Sequence, residues 1–219
     1  MSQGAEQVNR HRERSRTARE ELDAVLDAGS VGTLSTVVDG RPWVVPMLYA
    51  RDGDRLVLHG STGAGALRHV AAGAPAALSV VFLDGVVVAQ STFESSANYR
   101  SAVVHGELVP LEGEDKFAAL DTLSDAVIPG RTAEVRAMTG KELAATLAMA
   151  LPITDGRWTV KVRTGPPAPM EDDATDAERA TWTGVVPLRL VAGDPEPSPW
   201  CPPDAPVPPS IRNLRARHP

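Results

Sequence analysis

The sequence has little cysteine and few aromatic residues. Cys201 is the single cysteine among 219 residues, and Phe, Trp and Tyr together make up 4% of the chain. One cysteine excludes a disulfide within the chain and a cysteine-based metal site, and it is typical of a reducing compartment. With so few aromatic rings, the core must consist mostly of Val, Leu and Ala side chains.

The sequence also lacks the features of membrane proteins and nucleic-acid-binding proteins. No apolar run approaches the length that spans a bilayer, and the N-terminus is polar, without the apolar centre of a signal peptide. The formal net charge is −6, whereas nucleic-acid-binding domains are commonly basic. These absences predict a cytoplasmic protein with neither a membrane nor a nucleic acid as its partner.

Common catalytic and metal-binding motifs are absent as well. The sequence contains no Gly-x-Ser-x-Gly stretch of the kind that carries the nucleophile of serine hydrolases. His59, His69 and His105 are scattered and form no His-x-x-x-His pair, so no metal site is predicted from them.

Asp-Gly dipeptides at 39–40, 52–53, 84–85 and 155–156 are the strongest local signal that is present. Asp-Gly between apolar runs is typical of a tight hairpin turn, because both residues tolerate positive φ. A closed barrel leaves no exposed edge, so the antiparallel meander is expected to close, giving a mainly β fold with peripheral helices. The predicted strands cover residues 31–38, 43–50, 56–58, 76–83, 86–90, 98–110, 158–163 and 185–191.

Helices are predicted between these strands. Residues 18–28 place Leu22, Val25 and Leu26 on one face, with Gly29 suited to the C-terminal cap. Further helices are predicted over residues 64–72 and 111–127, and a capping box at Thr139 predicts one over 143–151. The domain is expected to span residues 18–192, after a flexible arm (1–17) and before an extended Pro-rich tail (193–219).

Residues 55–67 join a short strand to a loop rich in Gly, Ser and Thr and to the start of a helix. Such a loop predicts a phosphate-bearing ligand, because hydroxyls and free helix-start N–H groups favour anions; the same residue types also form ordinary turns. Two phosphate motifs do not fit. No lysine follows Gly63 and Gly65 as in a P-loop, and Arg68 occupies the third-glycine position of a dinucleotide fingerprint.

Five segments together indicate a family. They are WVVPMLYA at 43–50, LHGSTG at 58–63, NYRSAVVHG at 98–106, KELAATL at 141–147 and WTGVVPL at 182–188. Their order and spacing resemble those of the pyridoxamine 5′-phosphate oxidase-like proteins, in the flavin-nucleotide-binding branch related to nitroimidazole reductases. The resemblance covers residues 18–192.

This resemblance implies an FMN-binding split β-barrel that pairs as a homodimer, with FMN in a groove at the subunit interface. Strand 44–49 would pass along the flavin ring, and loop 59–62 would surround the ribityl phosphate. Trp182 would approach the cofactor from the partner chain. The implied cofactor-binding residues are Pro46, Met47, Leu48, Tyr49, His59, Gly60, Ser61, Thr62, Leu67, Arg68, Tyr99, Arg100, Ser101 and Trp182. The implied function is a flavin-dependent oxidoreductase acting on a small-molecule substrate, since the flavin itself supplies the redox chemistry.

Two departures from the family change what is expected. The oxidases carry basic residues after the loop, whereas residues 63–66 contain none. The FMN phosphate would then rely on backbone N–H groups, Ser61, Thr62 and Arg68 or Arg100. The arginine-rich segment that holds vitamin B6 phosphate is replaced by the Pro-rich residues 193–219, so oxidation of pyridoxamine phosphate is not predicted.

Three alternatives stay open at this point. The deazaflavin F420 could replace FMN in the same groove. A haem-binding barrel is suggested by His59, His105 and the missing phosphate-binding arginine. A barrel without cofactor would act as a structural or binding partner.

Overall fold

The structure is a computed structural model, and it describes residues 12–63 and 65–219. Most of the predicted N-terminal arm therefore lies outside the described residues. The described strands are β1 (Ser15–Arg16), β2 (Val31–Val38), β3 (Arg41–Asp52), β4 (Arg55–Ser61), β5 (Pro75–Val88), β6 (Ser96–Glu107), β7 (Val109–Pro110), β8 (Thr146–Pro152), β9 (Trp158–Arg163) and β10 (Gly184–Pro187). The described helices are α1 (Arg19–Leu26), α2 (Gly65–Ala71), α3 (Gly113–Val127), α4 (Gly140–Ala145), α5 (Asp176–Arg179) and α6 (Pro209–Arg217).

The strands form one antiparallel path in the order β1-β9-β6-β5-β2-β3-β4-β8-β7, and β10 pairs with β5. Strand β6 also lies against β8, where a Cβ at Gly106 would stand 3.0 Å from Leu151 Cδ1. This contact brings the two halves of the path together, and the result is a split barrel with helices outside it. The mainly β fold predicted from the Asp-Gly pattern is confirmed.

The hairpin between β2 and β3 turns as the sequence predicts. Asp39 and Gly40 have φ values of 50° and 72°, and Val38 pairs with Arg41 on either side of them. Helix α1 also forms as expected, with Leu22, Val25 and Leu26 buried. Its C-terminal cap is Asp27 rather than the expected Gly29.

Two secondary-structure predictions, a turn and a helix, are wrong. Asp84-Gly85 makes no turn: β5 continues through it with a bulge, because β6 pairs with both sides of the irregularity. Residues 143–151 are not one helix either. Helix α4 ends at Ala145, and β8 follows at once between β4 and β7. Its apolar run is buried on both faces, and such a run does not distinguish a central strand from a helix.

The tail is also more ordered than predicted. Residues 209–217 form α6, where the sequence suggested an extended chain. The carboxylate of Glu134 accepts hydrogen bonds from the backbone N–H of Ser210 (2.9 Å) and from its hydroxyl (2.5 Å). These bonds hold α6 against the segment that follows α3.

The core has two parts on opposite sides of the same strands. Inside the barrel, one cluster of buried side chains includes Leu34, Leu56, Leu58 and Val104. Outside it, α3 packs on the outer face of β3, β4 and β8 through a second cluster, Ala50, Val57, Leu111, Ala119, Leu120, Leu123, Ala148 and Ala150. Among the described residues, none of the helices is long and apolar enough to cross a membrane.

Tyr49→Phe is expected to lower the free energy of unfolding by about 1–2 kcal/mol, because a buried hydrogen bond disappears. The Tyr49 hydroxyl donates to the Leu26 carbonyl at 2.6 Å, and the side chain is fully buried. Urea denaturation measures the change, with Tyr99→Phe as control, since the hydroxyl of Tyr99 has no partner among the described residues. Equal stability of the two variants would contradict the assigned role.

Candidate functional site

His59 faces outward from the barrel because its neighbours face inward. In β4 the side chains of Leu56 and Leu58 enter the barrel core, so the two-residue period of the strand places Val57 and His59 on the outer face. Helix α3 covers Val57. His59 lies one repeat further along the strand, where it lines a cavity.

This cavity, called here the His59 cavity, has a volume of about 630 Å³. Its walls come from the outer face of the sheet, from the second half of α3 and from the segment that connects α3 to α4. The volume lies within the range of about 300–1,000 Å³ that is typical of cofactor and small-molecule sites. Its apolar lining comprises Leu48, Leu120, Leu123, Val127, Ile128, Val135, Ala137 and Met138.

The imidazole of His59 is held neutral by its surroundings. Burial lowers the pKa of His59 below its ordinary value, because the charged ring is poorly solvated there. Its Nδ1 atom is buried and has no hydrogen-bond partner among the described residues. A neutral imidazole can act as a metal ligand, and a ring without a protein partner is available to a molecule in the cavity.

Two arginines stand at the rim of the same cavity. Arg136 pairs with Glu142 through two hydrogen bonds of 2.8 and 2.6 Å, and Arg131 contacts Glu134 at 3.3 Å. Both arginines line the cavity and are partly exposed, so further donors can reach a carboxylate at the opening. The lining also contains Asp121, so the rim carries both charges. An apolar cavity with a neutral histidine and arginine donors at its rim suits a large, flat cofactor that carries a metal and carboxylates.

Helix α3 is fixed in place by ionic contacts at its N-terminal half. Arg55 of β4 bonds both carboxylate oxygens of Asp115, at 2.8 and 2.6 Å, and also bonds Asp52. Lys116 donates to the Leu143 carbonyl at 2.6 Å. The helix is thereby tied to β4 and to α4, which fixes the depth of the His59 cavity.

A second cavity of about 970 Å³ lies on the same outer face of the sheet, over β2 and β5. The sheet contributes Val31, Thr33, Ser79, Val81 and Leu83, and the far wall contains residues 188–190 and 217–219. We call it the β2–β5 cavity. In the sheet register Val31 pairs with Leu48, and Leu48 lines the His59 cavity. The two cavities therefore meet at one cross-strand pair, whose side chains are typically only about 5 Å apart.

The structure brings five of the sequence-predicted site residues to this outer face. Leu48 and His59 line the His59 cavity, and Pro46 lies two residues from Leu48 on the same side of β3. Tyr99 and Ser101 face outward from β6, because they pair with the exposed Leu83 and Val81. Of these five, His59 is the one that lines a cavity with a side chain able to bind a metal.

Four predicted residues instead belong to the interior. Met47 and Tyr49 point toward the barrel core, and Leu67 is buried in it. A Cβ at Gly60 would stand 2.3 Å from Leu67 Cδ1, so Gly60 lies directly against the buried Leu67 side chain. The side chains of these residues do not reach the outer face, and any role of theirs at a cofactor would be limited to the backbone.

The loop after β4 uses some of its donors within the chain. The Thr62 N–H and hydroxyl both donate to the Ala145 carbonyl at 3.3 Å, and the Gly63 N–H donates to Ser61 Oγ at 3.2 Å. The donors of Thr62 and the Gly63 N–H are thus already bonded, whereas Ser61 Oγ acts only as an acceptor in the part of the chain that the structure describes. Arg68 is exposed beside this loop and has no ionic partner among the described residues.

The two remaining predicted residues lie elsewhere. Arg100 lines the β2–β5 cavity, but it pairs with Asp84 at 2.8 and 3.0 Å and stacks over the Phe82 ring at 5.2 Å. Its charge is therefore already matched. Trp182 is 64% exposed in front of β10. His105, the other histidine suggested for haem, faces away from the barrel core on β6 and is not part of the His59 cavity.

Sequence reasoning missed the wall formed by residues 120–138. Its members follow no known motif, and Arg131 and Arg136 resemble ordinary surface arginines in the sequence. The apolar spacing of Leu120, Leu123 and Val127 was a usable signal, because it predicts a helix face that must cover something.

Comparison with known proteins places the chain in a family. Residues 18–160 match the family model described as pyridoxamine 5′-phosphate oxidase. The chain is 48% identical to the FAD and haem binding protein from Mycobacterium smegmatis, with 92% of this chain and 97% of that chain covered and a TM-score of 0.86. A search of the curated proteins found no match. The chain therefore belongs to the pyridoxamine 5′-phosphate oxidase-like family, as its motif order suggested.

Two other solved structures extend the comparison. The flavocytochrome Anf3 from Azotobacter vinelandii is 32% identical, with 95% of each chain covered and a TM-score of 0.84. A putative 5-nitroimidazole antibiotic resistance protein from Bacteroides thetaiotaomicron is 18% identical, covering 68% of this chain and 86% of that chain, with a TM-score of 0.56. The latter likeness concerns the fold alone.

The lowered pKa of His59 predicts a pH-dependent stability of the ligand-free protein. Unfolding restores the ordinary pKa of about 6.5, so the unfolded chain binds more protons between that value and the lower folded one. Stability is therefore expected to fall as the pH drops from about 7 toward the lowered pKa of the folded state, and this contribution is absent above about pH 7.

Urea unfolding across this pH range measures the effect. The wild type should lose more stability on acidification than His59→Gln, while His69→Gln, altered at an exposed histidine of α2, should follow the wild type. Parallel pH profiles for the wild type and His59→Gln would show that His59 does not titrate as its burial requires.

Proposed function

We propose that this chain is a flavin- and haem-binding oxidoreductase, with haem in the His59 cavity and flavin in the β2–β5 cavity. The observation that carries the proposal is the arrangement of two ligand-sized cavities on one sheet face, one of them lined by a neutral histidine. The relative with 48% identity, described as binding FAD and haem, supports this pairing of cofactors.

The His59 cavity fits haem through three features. Histidine is a common axial ligand of haem iron, and the lowered pKa keeps the imidazole in the form that binds a metal. The apolar walls suit the porphyrin ring and exclude water. Arg131 and Arg136 at the rim would hold the two propionate groups, since guanidinium pairs well with carboxylate. Haem, first considered as an alternative to flavin, is here a second cofactor beside it.

The β2–β5 cavity suits a flavin. Its sheet side presents apolar Val31, Val81 and Leu83 together with the hydroxyls of Thr33 and Ser79, a mixture that suits a polar-edged aromatic ring system. Arg189 lines the opposite wall, where it could contact phosphate. We propose FAD rather than FMN, because the 48% identical relative is described as binding FAD and because Thr62 and the Gly63 N–H already donate within the chain.

The outer sheet face also supports the expected homodimer. Val44 and Val81 are 59% and 70% exposed on this face, and several neighbouring side chains are apolar too. Exposed apolar surface of this kind marks interaction sites, and a two-fold axis would set the same face of a second copy against it. The partner would then cover the β2–β5 cavity.

The proposed chemistry follows from the two cofactors. Flavin exchanges one or two electrons and haem one, so a protein with both can connect two-electron and one-electron reactions. The chain's own residues bind and orient: His59 would hold the iron, the α3 wall would exclude water, and the Val31–Leu48 pair would separate the cofactors. The proposed chemistry requires no protein side chain as acid or nucleophile. The proposed substrate is a small molecule.

Haem titration is expected to yield a Soret band in the wild type with one haem per chain, because His59 and its cavity complete one site. His59→Ala should weaken haem binding by at least about tenfold, since the axial ligand is lost. His105→Ala is the matched control and should bind as the wild type does. Equal binding by His59→Ala and the wild type would move the haem to another site.

A charge at the proposed interface tests the link between dimer and flavin. Val44→Glu is expected to convert the dimer to a monomer and to weaken FAD binding, because Val44 lies on the face but lines neither cavity. Sedimentation gives the mass, and quenching of flavin fluorescence gives the affinity for FAD and FMN.

Val109→Glu is the control, since Val109 is 50% exposed on β7, the last strand of the path and three strands away from β3. A Val44→Glu protein that stays dimeric would place the interface elsewhere. A monomer with undiminished FAD affinity would mean that the partner does not complete the flavin site.

A further inference from the structure

Helix α6 touches the wall of the His59 cavity at several points. Besides the Ser210–Glu134 bonds, Asn213 donates to the Pro129 carbonyl at 3.3 Å, and Arg217 donates to the Ala126 carbonyl at 2.8 Å. These acceptors lie on residues 126–134. The same segment supplies Val127, Ile128 and Arg131 to the cavity lining. Helix α6 therefore packs against residues 126–134, which form this wall of the His59 cavity.

The other end of α6 reaches the second cavity. Arg217 and His218, at the C-terminal end of the helix, line the β2–β5 cavity. The Ala192 N–H donates to the His218 carbonyl at 2.8 Å, which ties residues 188–190 of that cavity to the helix end. One helix thus borders both cavities, with contacts to residues 126–134 along its length and its last turn also at the β2–β5 cavity.

The docking of α6 depends on polar contacts more than on apolar burial. Ser210 is its one fully buried residue, and Ile211 and Leu214 are only half-buried. The Glu134 side chain, 19% exposed, satisfies the Ser210 N–H, a group of the first helical turn that has no partner within the helix. Hydrogen bonds from Ser210 lower the pKa of Glu134, as expected for a carboxylate held by two donors.

We propose that Ser210 and Glu134 are positioning residues, which hold α6 in place and thereby set how tightly both cavities bind their ligands. The inference rests on the proposed function for the identity of the ligands, haem and FAD. The docking of α6 on residues 126–134 follows from the hydrogen bonds described above and does not depend on which ligands bind.

Loss of one charge-assisted hydrogen bond changes an equilibrium constant by about tenfold or more. In the ligand-free full-length protein, Ser210→Ala should therefore speed amide hydrogen exchange in residues 126–134 and 209–217 together, with little change in the barrel strands. In the loaded protein, the dissociation constants of haem and of FAD should both rise several-fold. Arg215→Ala is the matched control, because it removes an exposed ion pair of the same helix with Asp194.

Glu134→Ala provides the second variant, since it removes the acceptor instead of the donor. The Ser210→Ala and Glu134→Ala effects should not add in the double variant if the two residues act as one unit. Additive effects, or exchange that is unchanged in Ser210→Ala, would overturn the proposal. Faster exchange with unaltered ligand affinities would overturn it as well. A wild type that binds no haem contradicts the proposed function, while the exchange experiment still tests the docking.

Discussion

The packing of α3 against the outside of the barrel determines where a ligand can bind. Leu56 and Leu58 must enter the barrel core, so the strand period turns Val57 and His59 outward. Helix α3 buries Val57, and ionic contacts from Arg55 to Asp115 fix its N-terminal half. The chain then leaves the helix and returns over residues 128–138, which leaves an apolar space beside His59. A polar ring in such a place costs stability unless a ligand bonds it. The fold therefore leaves His59 ready to bond a ligand in the cavity.

The sheet that carries this cavity also carries a second one, and the two meet at Val31 and Leu48. With the proposed haem and flavin bound, this arrangement would account for the lack of any catalytic motif, because the chain would need only to bind and separate two redox cofactors. The C-terminal helix α6 contacts the surroundings of both cavities. Helix α6 spans from Glu134 near one cavity to residues that line the other, so its position bears on both.

Local patterns in the sequence predicted much of the fold. Asp39-Gly40 and the α1 face of Leu22 and Val25 form as expected. The long strand predicted over residues 98–110 forms as β6 (Ser96–Glu107), which the short β7 follows. The failures have physical causes. Asp84-Gly85 has turn chemistry, but pairing with β6 on both sides overrides it. Buried β8 has no alternation to distinguish it from a helix. Of the residues predicted from motif order, His59 and Leu48 line the His59 cavity, whereas the side chains of Met47 and Leu67 lie toward the barrel core, because motif position does not say which way a side chain points. The wall from α3 to α4 depends on tertiary packing, which single-sequence patterns do not encode.

A crystal structure of the protein with haem and FAD bound would show directly whether His59 holds the haem iron. We expect iron bonded to the His59 imidazole between α3 and β4, with the haem carboxylates beside Arg131 and Arg136 and the flavin over β2 and β5. Iron bonded to another residue, or haem outside the space between α3 and the sheet, would contradict it.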